Sequence, residues 1–242
     1  MRTTIYNINY SARRSLYRKI RIVIFSILIL LILCSLVTSY LIFSVRISSS
    51  AMEPTIGKND WIFVSPLITP RNPLYAQNDA IKRGDIIFMK PLQEQDFNFF
   101  FRGIDKFVGF FTLQQYYPIS NSKYMTENKL IRRVVALPGD EIYIKDYVAY
   151  IKTQGAEHFL TEFELSSKEY DILTDKELIE KESNLAFFKN CDTITLGEDE
   201  YFVLCDNRTS TFDSRAWGTV NARKISGKVL LKHFPPMDAK LF

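Results

Sequence analysis

Histidine is nearly absent from this chain of 242 residues, with only His158 and His233. They lie far apart and in no recognisable spacing, which argues against a histidine-based triad and against a zinc site. Glycine is sparse at nine residues, while phenylalanine (19) and tyrosine (13) are plentiful. That balance argues against disorder and suits a folded, β-rich domain. Acidic residues are missing from positions 1–21, which hold Arg2, Arg13, Arg14, Arg18, Lys19 and Arg21. The chain's formal charge of +4 therefore leaves about −2 for everything after that arm. The basicity is local, and no nucleic-acid-binding face is indicated.

Charge is absent altogether between Ile22 and Val45. A helix over residues 22–45 would be about 36 Å long, enough to cross a hydrocarbon layer of about 30 Å with some tilt. The run exceeds the apolar core of a cleaved signal peptide and has no small-x-small site behind it. It has no polar face, as a buried soluble helix would. The spacing predicts a basic cytoplasmic arm over 1–21, a single-pass anchor over 22–45 and a main domain over 46–242. Cations precede the span and only Arg46 closely follows it, so the main domain is expected outside an inner (cytoplasmic) membrane. Cysteine is scarce as well. Cys34 falls within the span; Cys191 and Cys205 fall in the main domain, where a disulfide and two separate buried thiols are both open.

Within the main domain, alternation and turn residues predict strands at Trp61–Val64, Ile86–Met89, Ile131–Leu137 and Glu200–Leu204. A hairpin is expected from Ile142–Ile144 and Val148–Ile151. Arg83-Gly84-Asp85 and Pro138-Gly139-Asp140 are turns, and Ser65 to Ala80 is loop. One helical rhythm runs from Ser166 to Lys181, with Ser166 or Ser167 as cap, inside an insertion of about 152–190. A second insertion, about 92–128, is rich in phenylalanine. It suits a segment lying in the membrane interface and equally one packed on the domain's own core. No internal repeat is visible.

Four segments stand in a telling order behind the arm and span: Ser50-Ala51-Met52-Glu53-Pro54-Thr55-Ile56, then Arg83-Gly84-Asp85-Ile86-Ile87-Phe88, then Leu130-Ile131-Arg132-Arg133-Val134-Val135-Ala136-Leu137-Pro138-Gly139-Asp140, then Cys205-Asp206-Asn207-Arg208 with Asp213-Ser214-Arg215. Each alone is weak. Together they resemble the type I signal peptidases from the anchor to about Lys228. The resemblance implies a mostly β fold of coiled, largely antiparallel sheets behind a membrane anchor. It also implies removal of signal peptides from exported preproteins by a Ser–Lys dyad, with no cofactor and no metal. In that chemistry serine attacks the carbonyl, a neutral lysine takes its proton, and a backbone N–H with a nearby hydroxyl binds the oxyanion.

Both dyad positions are changed here. Ala51 stands at the nucleophile position, and a methyl group cannot attack a carbonyl. Arg132 stands at the general-base position, and a guanidinium stays protonated. By the same resemblance Ser49 matches the oxyanion hydroxyl, and Thr211 a serine that orients the lysine. Met52, Pro54 and Arg133 fall in the substrate-binding segments. Asp206, Asn207, Arg208, Asp213, Ser214 and Arg215 form the structural box beside the site. Cys205 replaces that box's usual glycine.

The expectation is a membrane-anchored signal-peptidase homologue that has lost catalysis and is retained to bind signal peptides, an active paralogue or an envelope complex. The alternative is an active peptidase, with Ser50 as nucleophile or with Ala51 as a trapping substitution of a serine. Ser50 is one residue early and would face the opposite side of an extended segment, and trapping would not require Arg132.

Overall fold

The computed structural model describes residues 3–72, 81–89, 108, 130–174 and 188–242, without the side chains of 3–12, 31 and 34–40. It contains two compact units, Met1–Leu41 and Ile42–Phe242. The first is one helix, α1 (Thr3–Tyr40). The apolar side chains from Ile22 to Leu30 are half or more exposed around it. Among the described residues no helix is long and apolar enough to cross a membrane. The helix stops before the end of the expected span: Phe43–Arg46 form strand β1, paired antiparallel with β2 (Trp61–Ser65). Val45 is buried against Ile47, Met52 and Ile62. A β-branched residue can end a lipid-facing run or fill a core, and the sequence does not separate the two.

The second unit is mostly β. The remaining strands are β3 (Ile86–Met89), β4 (Leu130–Ala136), β5 (Glu141–Lys145), β6 (Val148–Lys152), β7 (Leu160–Thr161), β8 (Cys191–Thr195), β9 (Glu200–Leu204), β10 (Val220–Asn221), β11 (Ile225–Phe234) and β12 (Lys240–Leu241). One antiparallel sheet runs β1-β2-β11-β3-β4-β9-β10, with β12 also on β11, and the other runs β7-β6-β5-β8. The hydrophobic cluster of Val135, Ala136, Ile142, Ile151, Phe202 and Leu204 joins them.

Every strand expected from the sequence is present. The longest, β11, was not expected. It sits between β2 and β3, with register shifts at three places. Each bulge breaks the period-two alternation that marks a strand. Gly227 lies here because a Cβ would stand 2.6 Å from the Ser65 carbonyl oxygen. The β5–β6 hairpin turns on Asp146 and Tyr147, both at positive φ (52° and 66°), the backbone that a tight two-residue hairpin requires.

The helix expected at Ser166–Lys181 is displaced. The chain forms a single turn, α2 (Glu162–Leu165), capped by Thr161 in a capping box with Glu164. The Thr-x-x-Glu signature lies five residues ahead of the serines taken as the cap. Ser167 instead hydrogen-bonds the Arg83 carbonyl, and Leu173 bridges Asn207. Residues 166–174 thus run as an irregular strap, and 175–181 lie outside the described residues. So does the aromatic insertion at about 92–128, apart from Val108.

Candidate active site and family

β4 is buried along its whole length, although its sequence places two arginines in mid-strand. A buried guanidinium must find acceptors, and the two find different ones. Arg133 holds Asp206 through Nε at 2.7 Å and Nη2 at 2.5 Å. It also donates to the Gly84 carbonyl at 2.6 Å and lies 3.9 Å from the ring centroid of Tyr170. Arg132 donates from Nε (2.8 Å) and Nη2 (2.6 Å) to the Phe212 carbonyl, and from Nη1 (2.5 Å) to that of Ile131. Its guanidinium stands 5.9 Å from the Trp217 ring, which meets Phe212 edge-on at 4.6 Å.

The loop after β9 ties these positions to Ala51. The Ala51 carbonyl accepts the Asn207 N–H at 3.0 Å, and the Asn207 side chain donates to the Ser50 carbonyl at 3.4 Å. The Ala51 N–H donates to Ser49 Oγ at 3.2 Å. Ala51 is buried, while Ser49 and Ser50 are exposed. Met52 packs in the core with Ile47, Ile62 and Ile131. Pro54 is exposed and lines, with Thr55, Phe163, Lys168 and Tyr170, a cavity of about 530 Å³. Of the three residues assigned to substrate by resemblance, Met52 and Arg133 are buried, and only Pro54 faces open space. No base is hydrogen-bonded to the Ser50 hydroxyl among the described residues.

The loop is held by three interlocked ion pairs. Asp206 receives Arg133 and also the Thr55 hydroxyl at 2.5 Å. Arg208 is fully buried and meets both oxygens of Glu162, at 2.9 and 2.5 Å. It also donates to the carbonyls of Cys205 and Tyr147. Asp213 caps α3 (Ser214–Trp217) and receives Arg215 Nε at 2.9 Å, Arg215 Nη2 at 2.7 Å and the Cys205 N–H at 3.0 Å. Arg215 reaches back to the carbonyls of Arg208 and Ser210, and Ser214 Oγ accepts the Val203 N–H at 3.0 Å. Burial would raise the Asp213 carboxyl, but Arg215 and the N–H donors outweigh it and hold the group below its usual range.

Cys205 does not occupy a positive-φ position, so its Cβ fits where a glycine was expected. Its thiol is buried, 3.5 Å from Ser210 Oγ, and burial pushes it up to about 12. Cys191 and Cys205 are both free. The Thr211 hydroxyl makes no hydrogen bond among the described residues; the neighbouring carbonyl, of Phe212, takes Arg132. Glu162 and Tyr170 are members of the site's support that the sequence did not reveal. Tyr170 donates to Glu162 at 2.6 Å while its ring underlies Arg133, so one side chain couples two ion pairs. Its phenol is raised by burial and by the Glu162 carboxylate. Only the buried-carboxylate requirement of Arg208 could have pointed to Glu162. Among the described residues no cluster of three or more His, Cys, Asp or Glu side chains could hold a metal ion.

A sequence profile described as "Signal peptidase, peptidase S26" matches residues 20–234. Signal peptidase IB of Staphylococcus aureus is 27% identical over 110 residues, 46% of this chain and 56% of its own length. Probable signal peptidase I-2 of Synechocystis is 22% identical over 192 residues, 78% of this chain and 62% of its own length. The alignments thus span only 56% and 62% of these curated relatives. The crystal structure of a signal peptidase I from Enterococcus faecalis covers 61% of this chain and 95% of its own, at 20% identity and a TM-score of 0.31. The profile match spans most of the sequence, and with it the chain belongs to the type I signal peptidase family, peptidase S26.

Proposed function

We propose that this protein is a signal peptidase homologue that does not cleave and that binds the signal peptides of exported preproteins, alone or with an envelope partner such as an active paralogue. The observation that carries the reading is the pairing of Ala51 with a buried Arg132 that donates three hydrogen bonds to carbonyl oxygens. The methyl has no lone pair for attack, and a guanidinium cannot take a proton at working pH. The supporting ion pairs Arg133–Asp206, Arg208–Glu162 and Arg215–Asp213 are intact, so the frame around the site persists without its chemistry.

The membrane placement is part of the same reading. Its support is the charge-free run from Ile22 and the exposure of its apolar side chains from Ile22 to Leu30. With β1 beginning at Phe43, the anchor would close near Tyr40, still about 28 Å of helix. The six cations before it favour a cytoplasmic N-terminus and an external main domain.

The test is to incubate the full chain in lipid with a preprotein bearing a small-x-small site, beside the Ala51→Ser, Arg132→Lys double variant. The expected result is no cleavage by the native chain and a crosslink between precursor and the segment around Ala51. Cleavage by the native chain would overturn the reading.

A further inference from the structure

The cavity of about 530 Å³ beside Pro54 and Thr55 has no part in the dyad chemistry. It is bounded by the turn that follows Ala51, by Phe163 of α2 and the strap after it, and by Lys240 of β12. The strap is fixed where it crosses the Arg83-Gly84-Asp85 turn. A Cβ at Gly84, which has φ 90°, would overlap Ser166 Oγ. The Ser166 hydroxyl donates to the Lys168 carbonyl at 2.6 Å and accepts the Lys168 N–H at 3.3 Å. Lys168 is thereby set near Asp85.

The neutral polar groups around the cavity are already engaged. Thr55 donates its hydroxyl to Asp206, and Tyr170 donates to Glu162. Asp85 is engaged as well, by the Lys228 amine at 2.5 Å and the Lys82 N–H at 2.8 Å. Among the described residues Lys168 therefore has no ion-pair partner, while Lys228 and Arg133 add like charge around it. Burial chiefly holds the Lys168 amine below the usual lysine range; Asp85 pulls against it, and Lys228 and Arg133 reinforce it. An anion in the cavity would relieve that position. Glu169 and Asp171 also border the cavity. They flank Tyr170 on the extended strap, so by alternation they face away from the side on which Tyr170 covers Arg133. Both are exposed and solvated.

The remaining surface is apolar. Phe163 is 41% exposed although its ring meets Tyr170 at 5.4 Å, and Pro54 is exposed beside it. An open ring, a proline and one unpaired amine, around a volume within the roughly 300–1,000 Å³ of small-molecule sites, suit an apolar body that carries one negative group.

We propose that this cavity binds a small organic acid, a carboxylate on an aromatic or similarly bulky apolar body, with Lys168 meeting the carboxylate and Phe163 the body. The site is distinct from Ala51 and Arg132, and the proposal does not rest on the signal-peptide reading.

The test is a fluorine NMR titration of the full chain in detergent micelles with para-fluorophenylacetate and with its neutral amide, against empty micelles. The acid is expected to bind about fivefold tighter than the amide, the scale of a partly solvated charge pair. Lys168→Gln, a change at an exposed side chain, should bring the acid to the affinity of the amide. Phe163→Ala should weaken both. Equal affinities on the native chain overturn the proposal, as does a preference that survives in Lys168→Gln. Competition by inorganic phosphate at the concentration of the acid overturns it in favour of a bare anion site. Displacement of the acid by N-acetyl-glutamyl-phenylalaninamide at equal concentration overturns it in favour of an acidic protein segment. Binding of neither probe also overturns it and leaves the signal-peptide reading standing.

Discussion

Arg132 donates two hydrogen bonds to the carbonyl oxygen of Phe212, from Nε at 2.8 Å and from Nη2 at 2.6 Å. A strand that would carry a general base is thereby latched to the loop that also receives Ala51 at Asn207. Restoring the nucleophile alone should accordingly restore nothing. Ala51→Ser is expected to leave preprotein cleavage at background. On the proposed reading, the pair Ala51→Ser, Arg132→Lys is expected to regain part of a loss on the order of 10⁶ in rate. Product formation followed by mass spectrometry checks this, and cleavage by the single variant would break the argument.

Glu162→Gln should cost about 3–5 kcal/mol, because it leaves the Arg208 charge buried without its anion. The Arg208 and Glu162 side chains are 0% and 1% exposed. The loss reaches the site, since Arg208 donates to the Cys205 carbonyl at the start of the loop. Urea unfolding of the main domain reads it, and a cost below about 1 kcal/mol, typical of exposed pairs, would show the network is slack.

Stability in acid follows Asp213. Its carboxyl is held below the ordinary 3.8 in the folded protein. The folded state then binds that proton less readily than the unfolded state. The stabilisation is complete above the unfolded value and is lost as pH falls from there through the folded one. Asp213→Asn is expected to be less stable than the native chain at neutral pH and to lose less between about pH 5 and pH 3. Parallel curves from urea midpoints against pH would contradict this.

Gly227→Ala should destabilise by about 1–3 kcal/mol, as overpacking does. The new methyl would stand 2.6 Å from the Ser65 carbonyl oxygen and 2.8 Å from Val64 Cγ1 in the strand beside it. A thermal shift series would show a lowered Tm, and an unchanged Tm would mean that β2 yields.

The thiols should separate by reactivity. Cys191 is half-buried, and Cys205 is fully buried with its thiol pushed up to about 12. Maleimide near neutral pH is expected to label Cys191 slowly and to leave Cys205 untouched until the domain unfolds. Labelling of Cys205 in the folded protein, read by peptide mass mapping, would place the loop in an open state.

Short strands with clean alternation and firm turns were legible: Trp61–Val64, Ile86–Met89 and the hairpin about Asp146 and Tyr147 all appear. Strand β11 was not, because its bulges scramble the period and its burial comes from neighbours on both sides. Phe43–Val45 read as membrane because apolar β-branched and aromatic residues serve lipid and core alike. The helix placed at Ser166 gave way to a strap, whose backbone bonds to Arg83 and Asp206 replace helical ones. Local propensity carries little weight against such tertiary partners.

The order of its motifs was enough to assign the family and to propose Ala51 and Arg132 as altered dyad positions, since residue type alone determines that a methyl cannot attack and a guanidinium cannot take a proton. Only the tertiary structure decided where the Arg132 charge goes. Its acceptors are the carbonyls of Ile131 and Phe212, and the second lies 80 residues away in the chain. Backbone carbonyls are common to every residue, so no side-chain pattern announces which ones will converge on a buried cation. Glu162, Tyr170 and Thr55 were hidden for the same reason, because their partners are set by the packing of the chain and not by their neighbours in sequence.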